Sequence, residues 1–331
     1  MAVTMADITK LRKMTGAGMM DCKNALTQAE GDFDKAVKII REKGKAVAAK
    51  RSDRDASEGC VLAKSDGKGF AAMIALKCET DFVASNADFI KLAQSILDAA
   101  LTNRCKTLDE VKALPMGDGT VEQAVTDRSG ITGEKMELDG YSTVEGVNIA
   151  TYNHLNRNFL CTMVALNKEA DPQVGKEIAM QIAAMNPVAI DEAGVPEQVK
   201  QNELQVAIEK TKVEQVQKAV EVALKKAGFN LYIAESEEHL NEGIMKGYIT
   251  EAQAQEIREL KAKVSAEKAA HLPTQMIENI AKGRMNKFYK ESCLLNQDYV
   301  QDAKITVAQY LKSVDKELTV VDFKRYSLRA E

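Results

Sequence analysis

Apolar positions along this chain recur at three- and four-residue steps over the first fifty residues. The period then shortens to two, and later lengthens again, in one long stretch to seven. Ile8, Leu11 and Met14 mark a first helix, with Asp7 placed to cap it and Thr15-Gly16-Ala17-Gly18 to stop it. Cys22, Ala25, Leu26 and Ala29 mark a second over about 20–29, ended by Gly31. Asp32 caps a third, whose stripe is Phe33, Ala36, Val37 and Ile40 before Gly44. Three such stripes share only a small core, so this module should be marginal alone. The basic, Ala-rich stretch 45–54 reads as a helical linker.

From there the pattern predicts strands. Residues 59–64 and 70–79 form a hairpin across Ser65-Asp66-Gly67-Lys68-Gly69. Asn86 caps a helix carrying Phe89, Ile90, Leu92, Ala93, Ile96 and Leu97. More helix follows around Val111 and over 121–126, and a strand over 135–142 completes a small sheet. The order then repeats. Residues 147–152 and 159–166 read as a second hairpin, and Asp171-Pro172 opens a helix with Val174, Ile178, Ile182 and Ala183. The matching late strand comes only at 318–328, so the outline is an internal duplication in an α+β fold.

Between that helix and its late strand lies a long insertion. Val199, Val206, Val213, Val220 and Ala227 fall at seven-residue intervals, with Val216 and Leu224 nearby, as a coiled-coil seam requires. After Gly228 and an irregular stretch, Thr250 and Gln253 have capping-box spacing before Ile257, Leu260 and Val264. This predicts an antiparallel helical hairpin projecting from the body. An ordinary helical domain is the alternative, since 229–249 holds enough apolar residues to fold back on the stem.

The bulk numbers exclude several classes. With 331 residues, 45% hydrophobic and 28% charged, the chain can form two or three domains with real cores. A net charge of -4 offers no global basic field for nucleic acid. Neither a signal peptide nor an apolar run of membrane-spanning length is visible. Six scattered cysteines, none in a CxxC pair, read as buried free thiols of a cytoplasmic protein.

Candidate chemistry is sparse. There is no GxxxxGK[ST] loop, so no phosphate cradle and no direct nucleotide binding is expected. Gly16-Ala17-Gly18 follows a helix, whereas a dinucleotide site needs a strand first. His154, His239 and His271 form no metal pair, and no cofactor or metal is implied. The missing nucleophile motifs shift weight from enzyme to binding protein. One junction stands out: Cys78-Glu79-Thr80-Asp81-Phe82-Val83-Ala84-Ser85-Asn86, where a buried strand gives way to a helix. Phe82 there is either presented outward by a rigid scaffold or folded down, with Val83, as a hydrophobic staple.

Three stretches together resemble the elongation factor Ts family, the guanine nucleotide exchange factors of elongation factor Tu. The first is Leu11-Arg12-Lys13-Met14-Thr15-Gly16-Ala17-Gly18-Met19-Met20-Asp21-Cys22-Lys23-Asn24-Ala25-Leu26. The second is the TDFV motif, Thr80-Asp81-Phe82-Val83. The third is Gly283-Arg284-Met285-Asn286-Lys287-Phe288, followed by Leu294-Leu295-Asn296-Gln297 and Thr306-Val307. The resemblance implies a ubiquitin-associated-like three-helix module with its linker over 1–54 and a first core subdomain over 55–143. A second subdomain over 144–194 and 286–331 is implied as well, interrupted by a coiled-coil hairpin over 195–285. It further implies that Asp81 and Phe82, flanked by Thr80 and Val83, reach the partner's G domain near its magnesium. Met19 and Met20 would pack on a helix of that domain, and His154 of Tyr152-Asn153-His154, at a strand start, would touch the partner's third domain. Elongation factor Tu, GDP-bound and nucleotide-free, is then the partner, and the coiled coil offers self-association. The chain departs from the family's pattern at Leu155-Asn156-Arg157-Asn158, where small residues are usual, and at 229–249, which enlarges the hairpin. The competing reading, from the first module alone, is an adaptor for peptides or ubiquitin-like domains without exchange activity.

Overall fold

In the computed structural model, which describes residues 3–329, the first module is α1 (Met5–Thr15), α2 (Met19–Gln28) and α3 (Phe33–Lys50). Ile8, Leu11, Cys22, Leu26 and Ala36 close its small core. Three local expectations are corrected. Thr4, not Asp7, is the N-cap of α1; Asp7 is the reciprocal member of the capping box, and Gly16 ends the helix in the left-handed conformation at φ 73°. Met14 lies outside the core, exposed in the last turn. Helix α3 does not stop at Gly44 but runs on through the expected linker. The reason is tertiary: Gly44 is buried where α3 crosses a later helix at Gly130.

The chain then forms β1 (Glu58–Ser65), β2 (Phe70–Cys78), a single turn α4 (Asp81–Ala84) and α5 (Ala87–Thr102). Next come α6 (Leu108–Ala113), the two-residue strands β3 (Pro115–Met116) and β4 (Gly119–Thr120), α7 (Val121–Thr132) and β5 (Met136–Glu145). The second repeat is β6 (Asn148–Asn153), β7 (Leu160–Leu166) and α8 (Pro172–Met185).

A second compact unit follows, Asp191–Asn296, containing α9 (Glu197–Lys226), α10 (Leu231–Ala234), α11 (Glu237–Met245), α12 (Glu251–Ala270) and α13 (Thr274–Ser292). The chain returns to the first unit with β8 (Asp298–Tyr299), β9 (Asp302–Thr306), α14 (Val307–Val314) and β10 (Val320–Ser327).

Two antiparallel three-stranded sheets, β1-β2-β5 and β6-β7-β10, have the same order, and in each repeat the opening hairpin is followed by helix before the late strand, so the duplication holds at the level of topology and the fold is α+β. Strand β2 is buried on both faces. Phe70, Ile74, Leu76 and Cys78 face α5 with Phe89, Ala93 and Ile96. Ala71, Met73 and Ala75 face Cys161, Met163 and Ala165 of β7. Small side chains let the sheets stack, and α8 covers the far side of β6 and β7. A continuous apolar run is what a strand buried on both sides needs.

Within the second unit the seven-residue seam is overturned. Val206 and Val213 are exposed at 54% and 65%. The buried positions of α9 are Ala207 and Thr211 in one stretch, Val220 and Leu224 in another. Glu214, on the helical side of Ala207 and Thr211, bonds Arg284 of α13 at 2.5 Å. Val220 and Leu224 pack instead with Ala254 and Ile257 of α12. A series in steps of seven drifts about 20° per heptad on a straight helix, so Val220 reaches a buried face while Val206 and Val213 do not. The stretch 229–249 does fold back on its stem: Ala234 and Leu240 complete the α9–α12 core.

Candidate partner-binding site

Strand β2 delivers the chain to Glu79 and Thr80, and both are gripped from the segment that leads into β5. Thr80 donates its backbone N–H to Glu134 at 3.2 Å and its hydroxyl to the other carboxylate oxygen at 2.7 Å. The same hydroxyl accepts the Val83 N–H at 3.4 Å, capping α4. Glu79 accepts the Lys135 N–H at 2.6 Å, and Arg51 Nη1 donates to both of its carboxylate oxygens, at 2.9 and 3.0 Å. The Lys135 N–H, with the Arg51 guanidinium behind it, holds the Glu79 carboxyl below the usual range. On the far side Asn86 caps α5 by accepting from Asp88 and Phe89, and Arg128 bonds the same Asn86 oxygen at 3.0 Å.

Between these two clamps Val83 and Ala84 turn inward onto the first-repeat core. Phe82 points the other way and is 85% exposed, with Asp81 exposed beside it. The staple is thus made by Val83 alone. An aromatic ring held outward on a turn with a fixed backbone has no work to do inside its own chain.

Met19 and Met20 both open α2 but separate: Met19 packs against the module's core, whereas Met20 is 63% exposed. Exposed Met14 lines a groove of about 450 Å³ with Asp88, Leu92 and Arg128, which brings the methionine edge of the module beside the start of α5. Sequence reasoning missed Met14 as a surface residue. Its signal was its place in the last helical turn before Thr15-Gly16, where a stripe runs out of partners. The Glu134 and Arg51 grips were also missed, and no local pattern marks them.

His154 lies not at a strand start but after the end of β6, in the hairpin turn, where its Nδ1 meets the Tyr152 hydroxyl at 3.2 Å. The Thr80–Val83 turn, the methionines and His154 therefore sit on three separate elements of the first unit.

Among the described residues no cluster of His, Cys, Asp or Glu could hold a metal ion. All six cysteines are buried and free, and burial pushes the Cys60, Cys78 and Cys161 thiols up to about 12. No helix among the described residues is long and apolar enough to cross a membrane.

Residues 79–330 match the family model described as elongation factor TS. The chain is 70% identical over 331 residues to elongation factor Ts of Bacteroides fragilis and, equally, to that of Bacteroides thetaiotaomicron, covering 100% of each chain. It is 45% identical over 336 residues to elongation factor Ts of Porphyromonas gingivalis, again end to end.

Proposed function

Because the chain belongs to the elongation factor Ts family, and so among the translation elongation factors, we propose that it binds elongation factor Tu and drives GDP release by disturbing the partner's magnesium and phosphate site. The observation that carries this reading is Phe82, 85% exposed on a turn clamped at both ends. Set beside the partner's cation, the ring displaces neighbouring groups and costs the nucleotide its metal and some phosphate hydrogen bonds. A protein that prefers the nucleotide-free form weakens nucleotide binding by the same factor. No proton transfer or nucleophile is required, so the protein acts as an exchange factor rather than an enzyme, in the cytoplasm.

Burying one large side chain supplies only about 1.5–3 kcal/mol. Contacts spread over Asp81, Val83, Met19, Met20 and His154 are needed to hold the strained partner. Val206 and Val213, turned outward on α9, support self-association through the hairpin.

Stopped-flow release of labelled GDP from elongation factor Tu tests the proposal. Release accelerates with added protein and saturates. An adaptor without exchange activity leaves the release rate unchanged at every concentration.

A further inference from the structure

Six non-glycine residues have a positive φ among the described residues; five are Glu30, Arg104, Asn156, Asn158 and Asn186, all polar. The sixth is Leu155, at φ 53° and ψ 18°, and its side chain is 62% exposed. Asparagine relieves the left-handed conformation with a short polar side chain; leucine has no such compensation. A leucine that is both sterically disfavoured and left in water gains nothing from its own fold.

Its loop is nonetheless held firmly. Asn153 Nδ2 donates to Asn158 Oδ1 at 2.6 Å, and the Asn158 N–H donates back to Asn153 Oδ1 at 3.2 Å. The Val61 N–H of β1 donates to the Asn158 carbonyl at 2.6 Å. At the loop's base His154 stands edge-on to Tyr152 and to Phe159, each at 5.9 Å between centroids, and Arg329 lies over the Phe159 ring at 4.3 Å. Strain held by its surroundings and paired with exposure points from the outlier to a role outside the chain.

We propose that Leu155 is an apolar anchor that inserts into an apolar pocket on the protein partner, acting on complex affinity and not on the magnesium site. The inference rests on the reading that the partner is elongation factor Tu. The loop that carries it is already held, so little backbone freedom is lost when it docks.

Leu155→Asn and Leu155→Gly keep the left-handed backbone and remove the apolar group. Titration of labelled elongation factor Tu with the full-length variants should show Kd rising by about tenfold to a hundredfold, the range that burying one leucine represents. Their thermal midpoints should hold or rise by about a degree or two as the strain is relieved. The maximal GDP release rate at saturation should match that of the unsubstituted protein. Tight binding by the unsubstituted protein with equal Kd for both variants would overturn the anchor alone. A fall in thermal midpoint with unchanged Kd would make Leu155 a structural residue. No binding by the unsubstituted protein would remove both the anchor and the exchange reading.

Discussion

Replacing Phe82 with alanine separates presentation from packing. The ring is 85% exposed in the free protein, while the turn beneath it is held by Glu134 and by the Val83 and Ala84 contacts, none of which the substitution touches. Substitutions at such positions shift stability by about 0.5 kcal/mol or less. In a chain of 331 residues that is a change in thermal midpoint of about one or two degrees. In the proposed complex the same ring would contribute about 1.5–3 kcal/mol of burial. At about 1.4 kcal/mol per decade, its loss slows exchange roughly tenfold to 150-fold. Stopped-flow GDP release against variant concentration, with a melting curve on the same preparation, reads both numbers. Melting many degrees lower with unchanged exchange per folded molecule would show the ring to be core, and no change in either number would leave it without a part in exchange.

Three further outcomes follow from the packing. Gly130→Ala should destabilise the protein and loosen the first module: its new Cβ would lie 2.2 Å from the Gly44 Cα, whereas Gly44→Ala meets nothing nearer than 3.6 Å and should be tolerated. Differential scanning calorimetry and limited proteolysis of the pair check that asymmetry, with about 1–3 kcal/mol lost in the first case. Met20→Ala should weaken the complex without lowering the melting point, while Met19→Ala should do both, since Met19 also packs inside the module. Unchanged affinity in both variants, by titration calorimetry, would take the module out of the interface. The Glu79 carboxyl is held below its unfolded value by the Lys135 N–H and Arg51. Its contribution is therefore present above the unfolded carboxylate range, near pH 4.5, and is lost as pH falls through the lower folded value. Stability between pH 3 and 5 should fall less steeply in Glu79→Gln, and parallel profiles would show that the carboxylate carries no such contribution.

What the chain revealed beforehand was local or periodic. The double-sided burial of β2 is written in the unbroken apolar run from Phe70 to Leu76, and Asn86, Asp32 and Asp171-Pro172 mark helix starts through chemistry that acts within three residues. What stayed hidden depends on distant partners. Helix α3 passes through Gly44 because Gly130 offers a matching gap. The faces of α9 are decided by which helix lies opposite, α12 or α13, and the valine period does not encode that choice. The acidic Asp7 suggests itself as the cap of α1, yet threonine with an acid three residues on is the reciprocal box, and Thr4 takes the N-cap position. The direction of Phe82 could not be read locally. Val83 and Phe82 are both apolar, and only the packing decides which one turns inward.

The buried framework also bears on how a single turn would act as the proposed wedge. A ring on a mobile loop would have to be ordered as it entered the partner, at about 1–2 kcal/mol for each residue fixed. For the turn Asp81–Ala84 that loss would rival everything one aromatic side chain contributes on burial. Here the ordering is complete before any encounter. The turn follows a strand packed on both faces and precedes a capped helix, and Glu134 locks its N-cap, Thr80, through two hydrogen bonds. The free energy of burying Phe82 is then available to deform the partner instead of to fix the loop. On the proposed mechanism the support around the turn would matter to exchange as much as the ring does, although Glu134 and Arg51 need not touch the partner at all.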